Sequence, residues 1–119
     1  LSELYYEDSI ILNALENKLQ QKIKIKIVTK NGINSKKFIE LKEKYSDFLE
    51  IRKLDNTTTV NNHFLLVDNT SFRVEYPHKK EDIDLKNFNV YAKANFYNQE
   101  FGGHIGGIFD NLRGLSTPI

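Results

Sequence analysis

The order of apolar and polar positions predicts alternating helices and strands in the first half of the chain. A stripe of apolar residues at helical spacing predicts a first helix from about residue 10 to residue 20. The strictly alternating segment KIKIKIV, residues 22–28, then predicts a half-buried strand with isoleucines on one face and lysines on the other. Ser35 is the expected N-cap of a second helix that ends near Tyr45.

The second half of the pattern predicts strands followed by a last helix. LEIRKL, residues 49–54, predicts a strand, and HFLLVD and SFRVEY predict a hairpin joined by Asn69 and Thr70. HFLLVD is apolar on both faces, which is typical of a central strand. NVYAKANF, residues 89–96, predicts a further strand, and residues 101–112 predict a helix despite four glycines. The expected fold is therefore α/β, with one mixed β-sheet flanked by helices.

Length and composition narrow the class of protein. A chain of 119 residues has room for one sizeable core, so we expect a single domain over residues 1–119. The absence of cysteine excludes a disulfide scaffold, a thiolate nucleophile and a cysteine-based metal site, and it suits a cytoplasmic protein. No apolar run is long enough for a membrane span. The chain opens at Leu1 without a methionine, so we expect a fragment of a longer protein with other domains.

The segment NNHFLLVDN, residues 61–69, places a histidine and an aspartate at the two ends of an apolar run. Side chains alternate along a strand, so His63 and Asp68 point to opposite faces, about 16 Å apart. Asn61 and His63 are two residues apart and share a face. They are either a polar pair presented together or the ordinary polar end of a loop.

Two further features of the sequence are candidates for a metal site and for a phosphate site, but neither fits a known motif. The three histidines of the chain lack the spacing of a metal site, so neither a metal nor a cofactor is predicted. The stretch GGHIGG, residues 102–107, matches no phosphate-binding motif and is better explained by a helix that packs closely on a neighbour.

A candidate basic surface lies on the lysine face of the first strand. We call Lys22, Lys24 and Lys26 the β1 lysines. Lysines on one face can meet the phosphates of nucleic acid, but they are equally typical of a solvated sheet face or of an edge strand protected against aggregation. The net charge of the whole chain, +1, does not by itself attract polyanions, so any contact with nucleic acid has to be local.

The order of elements, with a polar approach to an apolar strand that ends in Asp68, resembles one half of a phospholipase D-like domain. In that superfamily the strand carries HxK, four further residues and an aspartate, and a later strand carries GSxN. Aligning Asp68 with the family aspartate places Asn61 at the nucleophilic histidine and His63 at the lysine. AKAN then falls at GSxN, with Asn95 at the asparagine and Lys93 at the serine. The resemblance covers most of the chain.

The resemblance implies loss of the family activity, because an asparagine amide has no free lone pair for attack on phosphorus. It also implies that Asn61, His63, Lys93 and Asn95 converge on one pocket with donors for an anion, and that two halves pair as a homodimer or with a second half in the parent protein. The first hypothesis is thus a non-catalytic binding or regulatory module that contacts phosphate or nucleic acid. The alternatives are a phosphodiesterase or nuclease with a rearranged site that uses His63, and a structural or dimerisation domain.

Overall fold

The computed structural model describes residues 8–30, 33, 35–55, 57–58, 63–75 and 92–119. These residues form three helices and six strands. In chain order the elements are α1 (Ser9–Gln20), β1 (Ile25–Thr29), α2 (Lys36–Lys44), β2 (Leu49–Leu54), β3 (His63–Val67), β4 (Ser71–Glu75), β5 (Ala92–Asn95), α3 (Gln99–Gly114) and β6 (Ser116–Pro118). The α/β class expected from the sequence is confirmed.

The chain divides into two compact units. The first unit takes residues 1–58 and 115–119, and the second takes residues 59–114. Each unit has its own three-stranded sheet among the described residues, with strand order β1-β2-β6 in the first unit and β3-β4-β5 in the second. The predicted mixed strand direction is confirmed in the first unit, where β1–β2 is parallel and β2–β6 is antiparallel, but the described strands form two sheets and not one. The expectation that residues 1–119 fold as one domain stays a prediction.

The first unit is built on a parallel β1–α2–β2 crossover. Ile25 pairs with Leu49 and Thr29 with Lys53, so that the two strands run in register over their whole common length. The short β6 pairs antiparallel with the other edge of β2. Arg52 stabilises the pairing of β2 with β6, because its guanidinium donates hydrogen bonds to the hydroxyl of Ser116 at 2.8 Å and to the Ser116 carbonyl at 2.6 Å.

The core of the first unit lies between its two helices and the sheet. Alternate residues of each strand point to this side, so the isoleucine face of β1 and the odd-numbered apolar positions of β2 are buried. Phe38 of α2, fully buried, fills the centre. The buried residues of this cluster are Leu12, Leu19, Ile27, Ile33, Phe38, Leu41, Leu49 and Ile51.

Local capping explains where the two helices of this unit begin. The Asp8 carboxylate accepts hydrogen bonds from the backbone N–H groups of Ile10 and Ile11, and so satisfies donors that have no partner inside α1. The hydroxyl of Ser35 does the same for the N–H of Phe38 in α2. The predicted Ser35 cap and the helix that follows it are confirmed.

The second unit is an antiparallel sheet with a helix on one face. β3 and β4 form the predicted hairpin, and β5 pairs with the far side of β4. α3 lies over β3 and β4. The ring of Phe109 meets Phe64 edge to face at 6.3 Å between centroids, and Phe101 packs on Phe72 at 5.4 Å.

Three sequence-based predictions need correction. β3 lies at an edge of the described sheet and not at its centre, and Leu65 on it is 61% exposed. A continuous apolar run indicates burial on both faces, but within the described residues a helix covers only one face of β3. The first strand begins at Ile25 rather than at residue 22, and β6, a three-residue strand without any periodicity, was not predicted.

Candidate functional site

The sheet of the second unit separates the polar residues that the motif alignment brought together. Residues directly opposite each other in antiparallel strands point to the same face. His63 therefore shares a face with Leu65 and Val67, while Phe64 lies on the other face with Val74 and, one strand further, Lys93. The half-buried His63 is thus on the opposite face of the sheet from Lys93, with β4 between their strands.

Lys93 and Asn95 remain together, on the face of the sheet that carries α3. Lys93 stands opposite Val74, and Asn95 stands opposite Phe72. Both polar side chains are exposed. The predicted pocket of four residues is wrong as far as His63, Lys93 and Asn95 are concerned, because strand alternation directs His63 away from the other two. Asn61 lies outside the described residues.

Asp68, which was aligned with the family aspartate, is a turn residue. Asp68 and Asn69 have φ angles of 52° and 56°, and the N–H of Thr70 donates to the carbonyl of Val67 at 3.1 Å. Two consecutive left-handed residues closed by this bond form a type I′ turn, for which aspartate and asparagine are well suited. The aspartate is exposed at the tip of the hairpin, and its place in the turn explains its presence without catalysis.

The glycines of GGHIGG divide between the two faces of α3. A Cβ at Gly102 would lie 2.3 Å from the Asn69 carbonyl oxygen, and one at Gly106 would lie 2.7 Å from Oδ1 of the same asparagine. These two glycines let the helix approach the hairpin turn, as the sequence predicted for this stretch. Gly103 and Gly107 have nothing within 4 Å of a Cβ position.

The β1 lysines do not share one strand face, although all three are exposed. Lys26 lies within β1 and stands beside Glu50 of β2. Lys24 directly precedes the strand, whereas Lys22 belongs to the end of α1. β1 is at an edge of the described sheet, so its lysines line a border of the first unit.

Lys22 ends α1 in a left-handed conformation, with a φ angle of 62°. Its N–H donates to the carbonyl of Leu19 at 2.9 Å, and the next N–H, from Ile23, donates to the carbonyl of Lys18 at 3.1 Å. This pair of bonds is the Schellman motif, which usually has glycine at the left-handed position. The alternating pattern gave no sign of it, because the alternation continues through the helix end.

A polar cluster joins α1 to α2. The carboxylate of Glu16 accepts hydrogen bonds from Nζ of Lys44 at 2.7 Å and from the Tyr45 hydroxyl at 3.1 Å. The bond from Lys44 and then that from Tyr45 hold the pKa of Glu16 below its ordinary value. The bond to Glu16 and then a contact with Tyr45 raise the pKa of Lys44. Beside this cluster the two helices line an open groove of about 400 Å³, with Leu12 and Leu41 among its residues. Sequence spacing cannot indicate a contact between two separate helices.

A loop after β2 holds a second carboxylate with a shifted pKa. Asp55 accepts hydrogen bonds from the side chain and the backbone N–H of Thr57, and these contacts lower its pKa. The backbone N–H and the hydroxyl of Thr58 also donate to it. All four bonds run to residues two or three positions further along the chain, so this carboxylate shapes its own turn.

The described residues offer no catalytic metal centre and no membrane-spanning helix. No three histidine, aspartate or glutamate side chains among them are placed to hold a metal ion. None of the helices in the described ranges is long and apolar enough to cross a bilayer.

Comparison with known proteins gives no relative for this chain. No protein-family model, no curated protein and no solved structure matches it. The function is therefore argued from the residues themselves.

Proposed function

We propose that this chain is a non-catalytic binding module whose β1 lysines contact the phosphate groups of nucleic acid. The observation that carries the proposal is the exposure of Lys24, directly before β1, and of Lys26 within it, at an edge of the described sheet. Lys22 lies at the adjoining helix end. Cations lined up on an exposed border can each meet one phosphate of an extended chain, and the release of counterions then favours binding.

The separation of His63 from Lys93 and Asn95 supports the non-catalytic part of the proposal. Phosphoryl transfer through a histidine needs a nucleophile and groups that stabilise charge on the phosphoryl oxygens within reach of one phosphate. Here the histidine and the lysine occupy opposite faces of the sheet. A relation to the phospholipase D-like superfamily, with its twofold pairing of halves, stays a prediction from the motif.

A hydrolysis assay tests the absence of catalysis. We expect no turnover of bis-p-nitrophenyl phosphate and no nicking of plasmid DNA, with or without EDTA. Turnover by the purified protein that is lost in His63→Ala, while the variant keeps its thermal stability, would establish the phosphodiesterase alternative in place of the proposal.

A binding assay tests the role of the lysines. We expect a labelled single-stranded oligonucleotide to bind, and Lys24→Gln/Lys26→Gln to weaken that binding. The matched control is Lys44→Gln/Lys53→Gln, which removes the same charge from the same unit. Lys44 is already paired with Glu16, and Lys53 points to the other face of the sheet from Lys26. If no nucleic acid binds, the proposal is wrong, and the alternative of a structural or dimerisation domain takes its place.

A further inference from the structure

Two consecutive aromatic residues, at the corner between β5 and α3, are both exposed. Phe96 is 73% exposed and Tyr97 is 87% exposed, in the bend that leads into α3. Isolated exposed apolar residues are common on protein surfaces, but here two consecutive aromatic residues are both exposed at one corner. Such a corner is suited to a flat partner that covers the rings.

The backbone that carries these rings is held in place by the neighbouring hairpin. The N–H of Tyr97 donates to the Ser71 hydroxyl at 3.3 Å, and the N–H of Asn98 donates to the carbonyl of Thr70 at 2.8 Å. Asn98 also caps α3, since its side-chain oxygen accepts from the N–H of Phe101 at 3.0 Å. The rings are therefore presented on a fixed support, which lowers the entropy lost when a ligand binds.

Tyr97 occupies a conformation that its residue type disfavours. Its φ angle is 60°, in the left-handed region that glycine and asparagine adopt far more readily. A tyrosine at such a position costs stability, and strain of this kind concentrates at binding sites. No ring contact of Tyr97 within the described residues offsets that cost, because its side chain is almost fully exposed.

The charges around this corner favour a ligand that carries phosphate on one side. Lys93 and Asn95 are exposed on β5, immediately before the bend, and share one face of the strand. Glu100 adds a carboxylate in the first turn of α3, which follows the bend. A phosphate is thus attracted to Lys93 and repelled by Glu100, and the two aromatic residues lie between them in the chain.

We propose that Phe96 and Tyr97 form a stacking site for unpaired nucleobases, with Lys93 meeting the adjoining phosphate. The inference rests on the proposed function and refines it, because it selects single-stranded over duplex nucleic acid. Every base has a π face, so aromatic side chains on a basic surface bind single strands with little preference for sequence. In a duplex the base faces are stacked on each other and are closed to these rings.

An oligothymidylate and an abasic oligomer of the same length test this site, since both carry the same phosphates. We expect the wild-type protein to bind oligothymidylate about tenfold more tightly than the abasic oligomer. In Phe96→Leu/Tyr97→Asn the preference should disappear, and affinity for the abasic oligomer should be unchanged. Asparagine suits the left-handed position, so this variant retains the backbone of the bend. Tyr97→Phe keeps the ring and should keep the preference.

The outcomes separate the two proposals. Equal affinity of the wild-type protein for both oligomers would overturn the stacking site but would leave the proposed lysine contacts intact. The two aromatic residues would then be assigned to a surface that binds another protein. Retention of the preference in Phe96→Leu/Tyr97→Asn would overturn it as well. Absence of binding to either oligomer would overturn the proposed function and the stacking site together.

Discussion

At the scale of single residues, Lys22 shows that the backbone conformation at a position determines how much a side chain there lowers the stability of the fold. The residue occupies the left-handed position that ends α1, with a φ angle of 62°. Lysine there carries a steric penalty that glycine avoids, although glycine loses more entropy on folding. The helix end is therefore less stable than the same motif with glycine.

Lys22→Gly should raise the free energy of unfolding by roughly 0.5 to 1 kcal/mol, because relief of the left-handed strain exceeds the added entropy cost. Chemical denaturation measures this difference. Lys22→Ala is the control, since it removes the same charge but keeps the Cβ, and it should not stabilise. A glycine variant less stable than the alanine variant would contradict the assignment of this helix end.

The glycines of α3 give a second prediction at this scale. Gly102→Ala should lower the free energy of unfolding by about 1 to 3 kcal/mol, because its Cβ would collide with the carbonyl oxygen of Asn69. Gly103→Ala should instead raise it by about 1 kcal/mol, since that position is open and alanine favours the helix. Thermal denaturation of the two variants, adjacent in sequence, is the measurement. Equal effects would show that the hairpin turn does not lie against this face.

Sequence reasoning at the residue scale succeeded where the signal was local. The Ser35 cap and the close approach at GGHIGG follow from residue type and spacing alone. Lys22 and Asp68 were misread because their roles depend on backbone angles. Several backbone conformations are compatible with a strictly alternating run. The same holds for an aspartate that follows an apolar strand.

At the scale of elements, α1 and α2 are joined by a hydrogen-bonded cluster centred on Glu16. Because Lys44 and Tyr45 lower the pKa of Glu16, the cluster stabilises the folded state above the ordinary glutamate value of 4.5. This contribution is lost as the pH falls through the lowered pKa. The raised pKa of Lys44 adds a contribution that is fully present below the ordinary lysine value of 10.5 and is lost as the pH rises through the raised pKa.

Glu16→Gln should therefore be less stable than the wild-type protein at neutral pH, and the difference should shrink as the pH falls below about 4.5. The measurement is urea denaturation at a series of pH values. The exposure of Lys44 makes the effect small. Glu40→Gln is the matched control, since its pair with Lys36 is more exposed and spans one helix only. A difference that grows on acidification would refute this assignment of Glu16.

The hydrophobic pattern predicted the type of most elements but not their neighbours. LEIRKL and the two helices of the first unit follow directly from periodicity and capping. The central position expected for β3 failed because an apolar run shows that a strand can be buried on both faces, and not that a partner covers both. Pairing across a sheet depends on residues far apart in the chain, such as Leu54 with Ser116.

At the scale of the whole molecule, the order of the strands within the second unit separates polar residues that the motif alignment brings together. The resemblance implies that Asn61, His63, Lys93 and Asn95 converge on one pocket. In the second unit a hairpin strand separates β3 from β5, and alternation turns His63 away from Lys93. The residues of a degenerate motif can keep their spacing while the fold places them apart.

The central claim, contact between the β1 lysines and phosphate, is tested most directly by the salt dependence of oligonucleotide binding. The logarithm of the affinity should fall linearly with the logarithm of the salt concentration, with a slope of about −0.7 for each phosphate contact on a single strand. Lys24→Gln/Lys26→Gln should reduce the magnitude of that slope by about 1.4, and Lys44→Gln/Lys53→Gln should leave it unchanged. Equal slopes for the wild-type protein and Lys24→Gln/Lys26→Gln would contradict the claim.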